Sequence, residues 1–426
     1  MTPRAATKAC ICLGVAALTV AALSSCGGSS DKSGTRTLSW FVAIQPGGSI
    51  EKVAERCSKE SGGKYKVEPE FLPTDASQQR EQLVRRLGAE DSSIDIVGMD
   101  VIWTGEFANA GWVEEWKGPL KRQVTEKVFP GVIETASFEG KLYAAPFNTN
   151  TQLLWYRKDL VKQPPRTWDE MIEEAEKLGR DNAGTIQVQA SRYEGFMVWA
   201  NALIESAGTP ILSGPETLDL KQGPTEKALA VMGRLANSPA APAGLSTSDE
   251  DSARLAFEAG ESAFMTNYTF AYASAQAEAP EIGKEMGYAR FPRVDANRPS
   301  KPPLGGFNLA VSSYSKNKDI DFEAAACLAG KKSQLTAVEL DGLPPSRSDL
   351  YASKVVTKAY PGFAGLVKQS IEGAGPRPTT PAYQDVSSAL QRTLHPPEKI
   401  DPEDTGSIYD ELKSNLEAAV KREGLL

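Results

Sequence analysis

Residues 94–116, IDIVGMDVIWTGEFANAGWVEEW, open with a short apolar run. Ile94, Ile96 and Val97 make it a strand of the kind buried between helices. Asp100 and Trp103 follow at that strand's carboxyl end, the edge where open α/β sheets place their ligands. A carboxylate accepts hydrogen bonds from hydroxyls, and an indole offers a flat apolar face to ring C–H groups. The pair therefore suits a polyhydroxylated ligand. A local reading competes with this one: Asp100 caps the next helix and Trp103 packs beneath it. Residues 105–112 then read as a helical turn and a tight break before Val113.

Upstream, residues 37–44 predict a strand, 45–49 a turn ending in an N-cap Ser49, and 50–61 a helix. Residues 65–72 alternate with period two as a second strand. Asp75 or Ser77 caps an amphipathic helix that carries Leu83, Val84 and Leu87 on one face. This β-α-β-α-β order predicts a doubly wound parallel sheet. Downstream, Thr167 with Glu170 three residues on has the form of a capping box. Residues 193–206 are apolar at helical spacing. The stretch FEAGESAFMTNYTFAY (257–272) reads as a helix end, a short strand at 262–266 and a polar-aromatic turn. Residues 384–394 predict a further helix and 408–426 an amphipathic one.

The 426 residues carry 55 acids against 47 bases, a formal charge of −8. That balance argues against nucleic acid as a partner, because phosphate neutralisation needs clustered Lys and Arg. Arg4 and Lys8 precede an apolar run over residues 9–23, which is short for a membrane span and has the form of a signal peptide over residues 1–25. The run ends in Leu23-Ser24-Ser25-Cys26, which resembles the bacterial lipobox and implies acylation (palmitate) of Cys26 as the first mature residue. Residues 26–35, rich in Ser and Gly, form a flexible tether. Lipid anchoring would hold the mature chain at the extracytoplasmic face of the bacterial cell membrane. Cys10 and Cys12 leave with the signal, so two other cysteines remain, Cys57 and Cys327. In an exported protein two such residues predict a disulfide.

Catalytic machinery is sparse. His395, followed by Pro396 and Pro397, is the single histidine and is expected in a solvated loop. One histidine leaves Ser-His-Asp and Cys-His systems almost without candidates and cannot build a His-based metal site. There is no GxxxxGK[ST] loop and no GxGxxG after a strand. No cofactor, metal or catalytic residue is expected. Two carboxylates suffice for a glycosidase, so a cell-surface carbohydrate-active enzyme is the remote alternative.

Four stretches carry a family resemblance: the D-I-V-x-x-D…W pattern of residues 95–103, GKLYAAPFNTNTQLL from Gly140, Gly305-Gly306-Phe307-Asn308, and Leu343-Pro344-Pro345-Ser346-Arg347. In this order they resemble the sugar-specific extracellular solute-binding proteins of ABC transporters, which are maltose-binding-protein-like. The resemblance implies an α/β, two-lobed, periplasmic-binding-protein-like fold. Each lobe would be a mainly parallel sheet flanked by helices, with three crossover segments as hinge. Residues 36–147 and 306–345 would form the N-terminal lobe, and 148–305 and 346–426 the C-terminal lobe. A ligand between such lobes is buried when they close.

Sugar-binding candidates at the lobe edges are Asp100, Trp103, Asn148, Asn150, Asn267, Tyr268, Gly306, Phe307 and Arg377. Gln45, Gln79 and Glu194 stand at helix starts that could reach the cleft. Asn148 and Asn150 have an alternative role satisfying hinge backbone, and Tyr268 and Phe270 one as core. Arg377, stiffly held between Pro376 and Pro378, suits either a fork-shaped ligand clamp or an interlobe salt bridge. QREQLVRRL, AEDSSIDI, NTQLLWYRKD and RPTTPAY are similar to one subgroup, the actinobacterial trehalose-importer lipoproteins. The position matching Tyr268 is commonly Trp there, a departure that bears on affinity and ligand choice. The implied partners are a disaccharide, most simply trehalose, and ABC permease subunits with their ATPase. Maltose or another oligosaccharide is the alternative ligand.

Overall fold

Apolar residues of the first strand are buried on both of its faces, as a helix-covered sheet requires. Leu38, Trp40, Phe41 and Val42 of β1 (Arg36–Ala43) are all within 5 % of full burial. The computed structural model describes residues 35–73 and 76–422; the readings on Cys26, Asp75 and the N-terminal leader lie outside them. In chain order the elements that position the site are as follows. First come α1 (Ser49–Glu60), β2 (Tyr65–Leu72), α2 (Ala76–Gly88) and β3 (Ile96–Asp100), then β4 (Ala144–Asn150) and β5 (Gln152–Arg157). Next are α3 (Trp168–Leu178), β6 (Ile186–Gln187), α4 (Glu194–Ala207), α5 (Glu250–Glu258), β7 (Phe264–Tyr268), β8 (Met286–Ala289) and β9 (Pro303–Val311). The last are α6 (Lys318–Leu328), α7 (Lys331–Asp341), β10 (Gly375–Pro376), α8 (Tyr383–Leu394) and α9 (Gly406–Lys421).

Two sheets result. The larger has the order β10-β9-β3-β1-β2, with β4 also paired to β9. Here β1 runs parallel to β2 and β3, as the β-α-β-α-β pattern predicted, while β9 runs antiparallel to β3 and β4. The smaller has the order β8-β5-β7-β6. Its β5 runs antiparallel to both β7 and β8, and β6 joins β7 in parallel. The two-lobed α/β reading holds, but a mainly parallel sheet does not describe the second lobe. The chain enters that lobe along β5, which takes antiparallel partners on both edges.

Three strands of chain run side by side between the sheets. β4 passes into β5 through Thr151 alone. Gly305 and Gly306 lie opposite Asn150 and Thr149. Pro344 accepts a hydrogen bond from Thr149 N–H at 2.9 Å, and Pro345 bridges to Asn148. Gly306 has φ +129°, and a Cβ there would stand 2.4 Å from the Asn148 carbonyl oxygen. Only glycine meets both conditions, the backbone conformation and the close approach.

Local chemistry corrects two details. The N-terminus of α1 is served by Asp341 from the end of α7, not by a Ser49 hydroxyl. Asp341 Oδ2 accepts the Ser49 N–H at 3.0 Å and Oδ1 accepts that of Gly47. A carboxylate at a helix N-terminus is favoured by the helix dipole as well. At α3, Thr167 Oγ1 accepts the Glu170 N–H at 3.1 Å, but the Glu170 carboxylate returns to the N–H of Arg166. His395 is not a solvated loop residue. It is half-buried, with Nε2 3.1 Å from the Ser246 carbonyl oxygen and its ring edge-on to Phe196. Cys57 of α1 and Cys327 of α6 stand in disulfide geometry, with Cα atoms 5.9 Å apart across 270 residues of sequence.

Candidate functional site

The carboxyl end of β3 meets the segment after β10 at a buried guanidinium. Arg377 donates from Nη2 to Asp100 Oδ1 at 3.3 Å and from Nη1 to Glu194 Oε1 at 2.6 Å. Its side chain is 6 % exposed, while those of Asp100 and Glu194 are 20 % and 22 % exposed. Burial alone would disfavour the cation, but Tyr383, Asp100 and Glu194 outweigh it and hold the guanidinium firmly charged. Glu194, which opens α4, also accepts from the Tyr383 hydroxyl and from Ser387 Oγ at 2.8 Å. Asp100 in addition caps the 3-10 turn Val101–Trp103, accepting the Ile102 N–H at 3.2 Å. The cap and salt-bridge alternatives for Asp100 and Arg377 are thus both present. They leave carboxylate lone pairs over, since an ionised carboxylate has about four acceptor sites.

The other candidates separate into those that face this node and those that do not. Phe307 lies opposite Asp100 in the β9–β3 register and Asn148 in the β9–β4 register, and its side chain is half-buried. Tyr268 ends β7 opposite Gln152 and is half-buried too. Burial, then the charge of Glu250, push its hydroxyl pKa up, while Arg377 pulls it down. Asn150 Oδ1 accepts the neighbouring Thr151 N–H at 3.0 Å, a hinge-backbone role. Asn148 is 1 % exposed, and among the described residues its Oδ1 has no partner. Gln45 lies between β1 and α1 and is half-buried, and Gln79 is buried on α2 at 5 % exposure.

Two candidates face inward. Trp103 is 2 % exposed and stacks on Phe107 at 6.0 Å, packing under the following helix. Asn267 is fully buried, donating to the Glu250 carbonyl oxygen at 2.9 Å and accepting the Tyr268 N–H at 2.8 Å. Both side chains are buried, and neither is open to a ligand in this conformation.

Sequence reading missed Glu250, Tyr193, Tyr383 and Ser387. Tyr193 donates to Glu250 Oε2 at 2.6 Å, and Glu250 has its pKa raised, chiefly by burial. Its signal was masked by Asp249 and Ser252, which form a capping box, so that Glu250 reads as one more acid in a helix's first turn. Tyr383 lies in RPTTPAY, just ahead of the helix predicted over residues 384–394, and the structure makes it that helix's first residue. A cavity of about 490 Å³ bordered by Glu134, Glu139, Glu205 and Pro376 touches the node through Arg377.

The node, the half-buried aromatics and the glycine crossover assemble between two sheets, and the sequence family agrees. Residues 44–335 match the model of the bacterial extracellular solute-binding proteins. The chain belongs to that family. A probable ABC transporter-binding protein of Deinococcus radiodurans is 29 % identical over 368 residues, which cover 81 % of this chain and 84 % of the relative. The diacetylchitobiose binding protein DasA of Streptomyces coelicolor is 23 % identical, covering 80 % and 82 %. Maltose-bound T. maritima MalE3 superposes with a TM-score of 0.78 at 24 % identity, covering 90 % of this chain and 99 % of that one. The relatives and structural neighbours of this solute-binding protein are themselves solute-binding proteins, not enzymes.

Proposed function

We propose that this solute-binding protein captures a disaccharide, most simply trehalose, between its lobes and delivers it to an ABC permease. The lobes would divide as residues 36–147 with 306–345 and residues 148–305 with 346–426. The observation that carries the reading is the Asp100–Arg377–Glu194 node, flanked by Phe307 and Tyr268 and by the Glu250–Tyr193 pair. Carboxylates with unused acceptor sites can take sugar hydroxyls, and half-buried rings supply flat faces for C–H groups. Relatives described as maltotriose- and diacetylchitobiose-binding lend support to a sugar. The choice of trehalose over maltose rests on the subgroup motifs QREQLVRRL and RPTTPAY.

Calorimetric titration with trehalose, maltose and cellobiose, on the wild type and on Asp100→Ala, tests this. The expected result is saturable trehalose binding, weakened tenfold to a hundredfold in the variant, as loss of charge-assisted bonds of about 1.5–3 kcal/mol each requires. The sugar should be recovered intact; released glucose would sink the binder reading, and preference for maltose would move the ligand. The LSSC sequence further motivates acylation at Cys26, and the placement of Cys57 and Cys327 motivates a disulfide in the exported protein. Cys26→Ala should move the protein from the membrane fraction to the medium. A non-reducing digest should yield one cross-linked peptide pair, and two titratable thiols would refute the bond.

A further inference from the structure

Away from the cleft, two buried carboxyl groups of the larger sheet's lobe share one hydroxyl. Asp95, just ahead of β3, and Asp321, on α6, both lie against Ser315 Oγ. Asp321 is fully buried and Asp95 is 8 % exposed. Ser315 Oγ also lies 3.1 Å from the N–H of Asn317, which can only donate. A serine hydroxyl has one hydrogen and two lone pairs. One lone pair takes the Asn317 N–H, so the two carboxyl contacts must divide between the remaining hydrogen and the remaining lone pair. One of the two acids must therefore be the donor.

The surroundings decide which. Asp95 Oδ2 accepts the Ser39 N–H at 2.9 Å, a backbone donor that favours the ionised form. Asp321 receives no such donor: its Oδ1 is buried with no partner among the described residues. We propose that Asp321 is a carboxylic acid that donates its proton to Ser315, which donates in turn to ionised Asp95, and that this chain makes the seating of α6 in its lobe sensitive to pH.

The electrostatics agree. Burial, with the nearby charge of Asp95, pushes the Asp321 pKa up to about 7, against lowering by Ser315 and Arg36. Arg36, which opens β1, acts on Asp321 as a cation. Other charges on the neighbouring elements are engaged elsewhere: Lys318 with Glu114, Lys64 with Glu323, Lys66 with Glu68, and Arg56 with Glu60. Lys316 and Asp319 beside it, Glu70 of β2, and Lys121 and Arg122 on residues 118–125 are half-buried or exposed and not bonded to Asp321. The sign follows from linkage. The folded state holds a proton that the unfolded chain releases near the ordinary Asp value. The stabilisation is therefore complete below about pH 4, declines as pH rises, and is gone once pH passes the folded value.

The test compares the full chain with Asp321→Asn and Ser315→Ala by thermal unfolding between pH 5 and pH 8. Asparagine keeps an N–H donor to Ser315 at every pH. The midpoint of Asp321→Asn should lie near the wild type at pH 5 and several degrees above it at pH 8. A midpoint difference that does not change with pH overturns the proposal. Infrared spectra supply a second arm. A protonated-carboxyl C=O band present in the wild type at pH 5.5, lost by pH 8.5 and missing from Asp321→Asn supports the proposal, since the raised carboxyls of Glu205 and Glu250 contribute bands of their own; equal band intensity in the two proteins refutes it. Ser315→Ala should leave a pH-dependent difference in place, because burial and the charge of Asp95 still raise the Asp321 value, but should change the pH at which it appears; the same pH as in the wild type overturns the shared-proton chain.

Discussion

The carboxyl ends of β3 and β7 carry the same pattern, a polar residue followed by aromatics, and the structure uses the two in opposite senses. At β3 the polar residue faces out: Asp100 reaches Arg377 while Trp103 turns inward onto Phe107. At β7 the polar residue faces in: Asn267 is buried on backbone groups of Glu250 and Tyr268, and the half-buried side chain is the aromatic Tyr268. The difference lies in hydrogen-bonding capacity. An ionised carboxylate that caps a turn and meets a guanidinium still has acceptor sites left. An amide that serves the backbone with both ends has little to give a ligand. Sugar-facing chemistry at a strand end is therefore set by what the nearby backbone already demands of the side chain.

The largest expected effect comes from removing the group that Asp100 faces. Arg377→Ala leaves Asp100 and Glu194 opposed in a mostly dehydrated node with no counter-charge. Breaking such a pair from one side costs about 3–5 kcal/mol, which denaturant unfolding would resolve. Arg377→Lys should recover only part of it, because one ammonium cannot hold two carboxylates in the geometry of a planar fork. A loss below about 1 kcal/mol for the alanine variant would make the node an ordinary surface contact and erase the contrast with β7.

Legibility from the sequence followed the same division. The β-α-β-α-β order was readable because burial writes itself as periodicity, as in Ile50, Val53, Ala54 and Cys57 of α1. The crossover at Gly306 was readable from the family resemblance, and the close approach of backbones there gives the glycine its physical reason. Strand direction in the second lobe was not, since periodicity is blind to whether β5 finds its neighbours parallel or antiparallel. Site residues were legible by type and not by orientation. Trp103 and Tyr268 are both aromatics beside a polar strand end, and only tertiary packing buries one ring and leaves part of the other accessible. Glu250 was hidden because a first-turn acid is what a helix N-terminus would carry without any ligand. Asp341 was hidden for the opposite reason: its partner is the helix it caps, 292 residues away in sequence.

The sharpest test of the comparison crosses the two residues of β7. Asn267→Ala leaves the Tyr268 N–H without its side-chain acceptor and removes one donor to the Glu250 carbonyl oxygen. Unpartnered buried polar groups cost about 1–3 kcal/mol, so its thermal midpoint should fall by several degrees. Sugar affinity of the protein that remains folded should stay near wild type, because Asn267 has no access to the cleft. Tyr268→Phe is the smaller perturbation. It keeps the ring face, leaves those backbone partners intact, and removes a hydroxyl near Gln152 and Glu250. Stability should hold, and affinity should drop by about twofold to tenfold if the hydroxyl bonds the sugar, the range of an ordinary hydrogen bond of 0.5–1.5 kcal/mol. Unchanged affinity would assign binding to the ring face alone, and Tyr268→Ala should then show the loss. If Asn267→Ala weakens the sugar and Tyr268→Ala does not, the roles at β7 are the reverse of those drawn here, and both strand ends present their polar residue to the ligand.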